Sequence, residues 1–340
     1  MEVDENLESA SMFTLNINEG MDLETQRFNW LDSKLLDPGE GEIVEIYLGY
    51  AGKVRKLEEP LITGIITALS PGFPSTGVPT LRVQGYDRSF YLQKSETRKK
   101  RTFEEEKDYR AVVKKITSEN HLKEGLIDST IKPCRKITQN PGENDYVFLK
   151  RLANNLGYEF FIRHDKLYFR KPRDSDEEIM TLHWGKELIS FNPRLSTAKV
   201  VSKVTVKGHN PKNPIKPVMG VASLEDLLIK DSNVESAVEF LKKIIGKGTE
   251  SSEHDFPVCD EKNAKALARA LLLKANSSLI EGSCECIGIP ELRPGTGVKL
   301  EGIGKRFSGK YYVKSVKHSF GGGGYKVSFG VRRGIISVFK

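Results

Sequence analysis

Apolar and polar residues alternate with a period of two at Phe13, Leu15 and Ile17, again in GEIVEIYLGY (41–50) and again in EEPLITGIITAL (58–69), so the chain opens as a series of β-strands. Loops dense in Pro and Gly, DPGEGE (37–42) and SPGFPSTGVP (70–79), separate these runs and suit the reversals of an antiparallel sheet. LRVQGYDRSFYL (81–92) adds another strand pair, or a strand and an exit. Residues 13–95 thus read as a small barrel or sandwich preceded by an acidic tail at 1–12.

The pattern changes at KSETRKKRTFEEEKDYRAVVKKI, where Tyr109, Val112, Val113 and Ile116 recur at helical spacing, which places a domain boundary near residue 96. A second helix follows. Asn144 or Asp145 caps it, Phe148, Leu149, Leu152, Ala153 and Leu156 form its apolar stripe, and Gly157 ends it as a left-handed C-cap. YEFFIR and KLYFR then flank His164–Asp165 as an aromatic hairpin resting on that stripe, and the charged KPRDSDEE (171–178) leads out of this α+β insert, residues 96–180. Alternation resumes in LISF (188–191) and AKVVSKVTVKGH (198–209). It breaks at NPKNPIKP and returns from Ser283 in CECIGIP, GVKLEGI, GKYYVKSVKHSF and YKVSFGVRR, with Gly321–Gly324 as a hairpin tip. A second β unit is therefore split into 181–210 and 282–340. The intervening 211–281 reads as helical: Ser223 with Asp226 resembles a capping box before a helix on Val234, Ala237, Val238, Leu241 and Ile244, and Asp260 caps another from Glu261 to Leu279.

At 340 residues the chain exceeds one ordinary hydrophobic core, in agreement with this division. Its 53 Lys and Arg against 46 Asp and Glu give +7, a mild excess that names no ligand. No apolar run is long enough to span a bilayer as a helix, and the N-terminus lacks the basic start and apolar stretch of a secretory signal. Cys134, Cys259, Cys284 and Cys286 form no CxxC and no zinc spacing; they read as reduced thiols of a protein made in a cytoplasm.

Catalytic signals are missing. His121, His164, His183, His209, His254 and His318 are scattered, with neither HxxxH nor HExxH, and there is no GxSxG elbow. GIGKRFSG (302–309) and GKGTE (246–250) lack phosphate-cradling spacing and read as turns. No catalytic residue, cofactor site or metal site is expected. The basic run Arg98-Lys99-Lys100-Arg101, near Tyr86, Phe90 and Tyr91, raises the question of nucleic acid, but Glu104, Glu105 and Glu106 follow at once and cancel most of its field. The bland reading, a solvated or subunit-facing helix start, is preferred. A glycan-active or carbohydrate-binding component is the main alternative, because glycosidase carboxylates leave no sequence mark; a basic nucleic-acid binder is the third.

Three separated segments carry a family resemblance: VQGYDRSF (83–90), DYVFLKRLANNLGYEFFIRHDKLYFRKP (145–172), and GIPELRPGTGVKLEGIGKRFSGKYYVKSVKHSF with GYKVSFGVRR (288–333). Together they resemble the late control protein D family, the baseplate hub of contractile phage tails and injection systems, and the N-terminal hub region of VgrG. The resemblance implies a mixed β and α+β fold with two tail-tube-like antiparallel β-barrels, an α/β insert and a helical insertion. It further implies a non-enzymatic homotrimer that adapts a sixfold inner tube to a threefold spike. The implied partners are further copies of the chain, a tail-tube or tube-initiator protein, a spike and baseplate wedge components. No membrane anchor and no specific nucleic-acid ligand are implied, and the implied place is a virion or injection-particle baseplate assembled in the bacterial cytoplasm. VgrG-type relatives continue into an oligosaccharide-binding barrel and a needle, whereas this sequence ends at Lys340, so a separate spike protein is expected. The candidate barrel-wall and subunit-contact residues are Ile62, Ile66, Leu81, Val83, Val204, Val206, Tyr312, Val313, Val316, Val327 and Phe329.

Overall fold

The computed structural model describes residues 1–38, 43–50, 59–95, 100–103, 108–133, 136–174, 177–198, 200–210, 213–224, 251–256 and 258–335. The first part holds β1 (Glu2–Asn6), β2 (Met12–Asn18), the short hairpin β3 (Met21–Asp22) and β4 (Arg27–Phe28), β5 (Ile43–Ile46), β6 (Ile62–Gly72) and β7 (Thr80–Asp87). The insert follows with α1 (Ser89–Lys94), β8 (Arg101–Thr102), α2 (Tyr109–Glu119), β9 (Lys123–Ile127), β10 (Thr138–Gln139), α3 (Asp145–Leu156), β11 (Glu159–Arg163) and β12 (Lys166–Arg170). The last part holds β13 (Glu178–His183), β14 (Leu188–Leu195), β15 (Lys203–Asn210), β16 (Asn213–Ser223), β17 (Ser251–Asp255), α4 (Glu261–Ala275), β18 (Ile280–Ile287), β19 (Gly297–Glu301), β20 (Gly309–Gly321) and β21 (Gly324–Arg333).

Eleven strands form one antiparallel-rich sheet in the order β14-β18-β21-β20-β1-β2-β7-β6-β5, with β19 also on β20 and β13 parallel to β19. Two halves of this sheet repeat one plan. In the first the spatial order is β1-β2-β7-β6-β5, and in the second it is β14-β18-β21-β20-β19, so the five strands of each half, taken in chain order, occupy the same places. Every pairing along both series is antiparallel. Each central hairpin, β6–β7 and β20–β21, also carries a register shift, between Ile66 and Ala68 and between Val313 and Ser315. Such bulges increase the local twist of a sheet. Among the described residues the sheet does not close: the ends of its main path are β14 and β5, and β13 is a further edge beyond β19.

The halves are joined by β1, which lies between β2 and β20. This corrects the reading of residues 1–12 as a tail. Val3 and Glu5 are buried there while Glu2 and Asp4 alternate outward, so a high local charge concealed a half-buried strand. One row of paired residues, Val327, His318, Val3, Phe13, Gly85 and Ile66, crosses both halves on the core side. Gly85 must lack a side chain in this row, since a Cβ would stand 2.3 Å from the Ile65 carbonyl oxygen and from the Phe13 ring.

The insert packs as its sequence implies. Asn144 Oδ1 accepts from the Val147 amide (2.8 Å), Gly157 adopts φ 70° and ends α3, and the β11–β12 hairpin turns at His164. Phe148, Leu149, Leu152 and Leu156 share one core with Phe160, Leu167 and Phe169. β12 also pairs in parallel with β9. Ser89–Lys94, at the end of the first β region, is a helix.

Two further expectations need correction. β15, assigned to the second β unit, pairs with β16 and β17 in a separate three-stranded sheet. Alternation marks a residue as strand but does not name its partner, and here the cover of α4 draws β15 aside. Gly220 on β16 permits that cover, because a Cβ would reach within 2.1 Å of the Ala264 backbone. Residues 211–281 are accordingly mixed, with β16 and β17 before α4, and the helix drawn on Val234 to Ile244 lies outside the described residues, as does Cys134. Cys259 is disulfide-bonded, against the reading of four reduced thiols, while Cys284 and Cys286 are free and buried. Burial pushes the Cys286 thiol up to about 12, so it is inert at neutral pH.

Candidate functional site

The eleven candidate residues all have buried side chains. Ile62, Ile66, Leu81 and Val83 fill the core of the first half, while Val204, Val206, Val313, Val316, Val327 and Phe329 belong to the larger core of the rest. Tyr312 lies between them with Leu7 and Phe161. These side chains are walls of the chain's own interior. Val204 and Val206, on β15, are not brought together with the other nine in the main sheet. What the eleven-stranded sheet offers outward is the adjacent row, Lys326, Ser319, Glu2, Thr14 and Gln84, of which only Thr14 is buried. Glu2–Lys317 (2.9 Å), Glu285–Lys326 (3.0 Å) and Glu281–Lys314 (2.7 Å) add cross-strand ion pairs, so this face is hydrophilic across the joint.

Sequence reasoning did not find the joint's polar contacts. Arg293, in the β18–β19 connection, donates through Nη2 to Glu5 Oε1 (2.8 Å) on β1 and to the Leu61 carbonyl. One guanidinium thereby holds both halves. Burial raises the Glu5 carboxyl above its ordinary range, and the Arg293 and Arg163 charges pull it back. The insert is fastened beside it: Arg163 donates to the Pro294 carbonyl (2.7 Å), Arg170 to the Gly295 carbonyl (2.9 Å), and Tyr312 Oη to Glu159 Oε2 (2.7 Å). Phe161 and Tyr168 stack at 4.8 Å with both arginines over the Phe161 ring. Partners separated by more than a hundred residues leave no local spacing signal.

Among the described residues no cluster of three or more His, Cys, Asp or Glu could hold a metal ion. Glu159 and Asp174 line one cavity with Arg332 between them, which donates to Glu159 Oε1 and Asp174 Oδ1 at 3.2 Å each and pairs with both. Of the basic run, Arg98 and Lys99 lie outside the described residues, and Arg101 is turned to Glu119 (2.6 Å).

His318 is fully buried with Nδ1 2.8 Å from Tyr325 Oη, and burial followed by the Arg293 charge lowers its pKa to about 4. Its folded value lies below the unfolded value near 6.5, so the stability it confers is complete above about pH 6.5 and is lost as pH falls toward 4, by on the order of 3 kcal/mol. The buried carboxyls of Glu5, Asp87 and Glu159 are shifted up and act in the opposite direction. A comparison with His318→Gln isolates the imidazole. Urea unfolding at pH 7 and pH 4.5 should show the variant losing about 2 kcal/mol less than the wild type; equal losses would refute the assignment.

No described helix is long and apolar enough to cross a membrane. The architecture is that of phage tail proteins. The prophage MuSo2 43 kDa tail protein of Shewanella oneidensis aligns over 100% of this chain and 94% of its own, with a TM-score of 0.67 and 15% identity. A tail protein of Neisseria meningitidis aligns over 99% and 92% (TM-score 0.63, 16% identity). The E. coli c3393 protein, a component of the type VI secretion system, aligns over 98% and 72% (TM-score 0.54, 13% identity). The chain belongs to the Alg8 N-terminal domain family, which matches residues 1–321. No curated protein matches it in sequence.

Proposed function

We propose that this chain is the hub of a contractile phage tail or injection-particle baseplate, a homotrimer that joins a sixfold inner tube to a threefold spike. The observation that carries this reading is the repeated strand order, which gives each chain two equivalent modules and three chains six. The motifs resembling late control protein D and the hub region of VgrG point the same way. Its role is structural, with a tail-tube or tube-initiator protein, a separate spike and wedge components as partners in a baseplate built in the bacterial cytoplasm.

Within the chain, the leading strand of the first half, β1, pairs with β20 of the second. Among the described residues the corresponding strand of the second half, β14, has no strand partner on its outer edge beyond a single bridge from Leu188 to Trp184, and β5 has none. Repeating the internal joint between copies would place β14 of one against the β5–β6 edge of the next and close the ring after three chains, removing exposed edges. Ile189 and Leu195 on β14 and Ile43 on β5 are exposed at these edges. The hydrophilic face through Lys326, Ser319, Glu2 and Gln84 then walls the lumen. The native mass should be about 115 kDa, three chains of 38.2 kDa. Ile43→Glu with Ile189→Glu should reduce it to one chain with an unchanged circular dichroism spectrum. A wild type that stays a single chain at all concentrations, or a trimer indifferent to both substitutions, overturns the reading.

A further inference from the structure

A cavity of about 770 Å³ opens between α3, α4 and the β20–β21 pair. Its floor is apolar, with Phe160 and Ile335 buried, while Leu273 on α4 is left 39% exposed. Seven Lys and Arg side chains line it against three carboxylates. Several of these cations are already engaged: Arg332 by Glu159 and Asp174, Lys310 by Glu178, and Lys314 by Glu281. Lys150 and Lys274 make no ion pair among the described residues, although the Glu8 carboxylate acts on both from the same lining. Lys150 Nζ donates to the Leu7 and Glu8 carbonyl oxygens, and Lys274 Nζ to the Asn154 carbonyl and Oδ1 (3.1 Å), all neutral acceptors. Burial lowers the pKa of both and the Glu8 charge opposes this; the neighbouring Lys274 lowers that of Lys150 further, while for Lys274 the Arg332 charge lowers it and the Glu159 charge raises it. A partly buried ammonium, Lys150, and an exposed one, Lys274, stand as like charges beside an apolar floor and form a receptor for an anion carried on an apolar scaffold.

We propose that this cavity docks an acidic peptide segment of another protein, with an apolar side chain on the Leu273 floor and a carboxylate between Lys150 and Lys274. Inorganic phosphate would satisfy the lysines but leave the floor and most of the volume unfilled; a nucleic acid strand offers no apolar side chain. The inference does not depend on the trimer, because binding is read on the isolated full-length protein at any oligomeric state.

The probe is an acetylated, amidated hexapeptide of alternating glutamate and leucine, with its glutamine–leucine analogue as control, titrated calorimetrically. The glutamate peptide should bind saturably, and the analogue about tenfold or more weaker, since each charge-assisted hydrogen bond lost is worth about a decade. Lys150→Met with Lys274→Met should produce the same loss. Leu273→Glu, at an exposed position that tolerates the change, should abolish binding by placing a carboxylate on the floor. Failure of the wild type to bind, equal binding of the two peptides, undiminished binding to the lysine variant, or displacement of the peptide by equimolar inorganic phosphate would each overturn the proposal.

Discussion

Val313→Asp should abolish the folded state. Val313 is fully buried on β20, which carries β21 on one edge and both β1 and β19 on the other, and its neighbour across β21 is Val331. A carboxylate placed in this apolar core must either be buried charged or take up a proton, and it also deletes apolar contacts in the largest core. The combined cost exceeds about 4 kcal/mol, comparable with the whole stability of a domain. Soluble yield and near-ultraviolet circular dichroism should both fall to the level of an unfolded chain. Val204→Asp on β15 is expected to be similarly severe, because Val204 belongs to the same contiguous core although it lies in another sheet. A well-folded protein from either variant would mean that these positions are not the interior walls described above.

Arg293→Met should cost about 3–5 kcal/mol in urea unfolding, the range for removing one partner of a buried ion pair. The loss is not that of one contact. Glu5 stays buried without its cation, and the Leu61 carbonyl loses its donor, so the first half, the second half and the connection between β5 and β6 part at one point. Glu5→Gln combined with Arg293→Met should recover about 1–3 kcal/mol of that loss, since it removes the stranded charge. A single variant within about 1 kcal/mol of wild type, or a double variant no better than the single, would show that the halves are held by strand pairing alone. The mass measurement separates folding from assembly, because a weakened joint inside the chain should also loosen the copies that repeat it.

Much of the local structure was legible in the residues themselves. The period of two at Leu81 and Val83 and at Val327 and Phe329, the stripe from Phe148 to Leu156 with its Asn144 cap and Gly157 stop, and the glycine tip between β20 and β21 all follow from interactions within a few residues. Patterning marked these positions as candidate wall or contact residues, since alternation is a statement about burial. It could not say against what. That Glu2–Asn6 is a joint and not a tail, that β15 leaves the main sheet for α4, that Cys259 enters a disulfide, and that Glu5 meets Arg293 across 288 positions were decided only by the tertiary structure. The physical reason is the same each time. Propensity and periodicity act over a turn or a strand, whereas strand partners, buried ion pairs and cavities such as the one beside Lys150 and Lys274 exist only once the whole chain has chosen which surfaces to exclude from water.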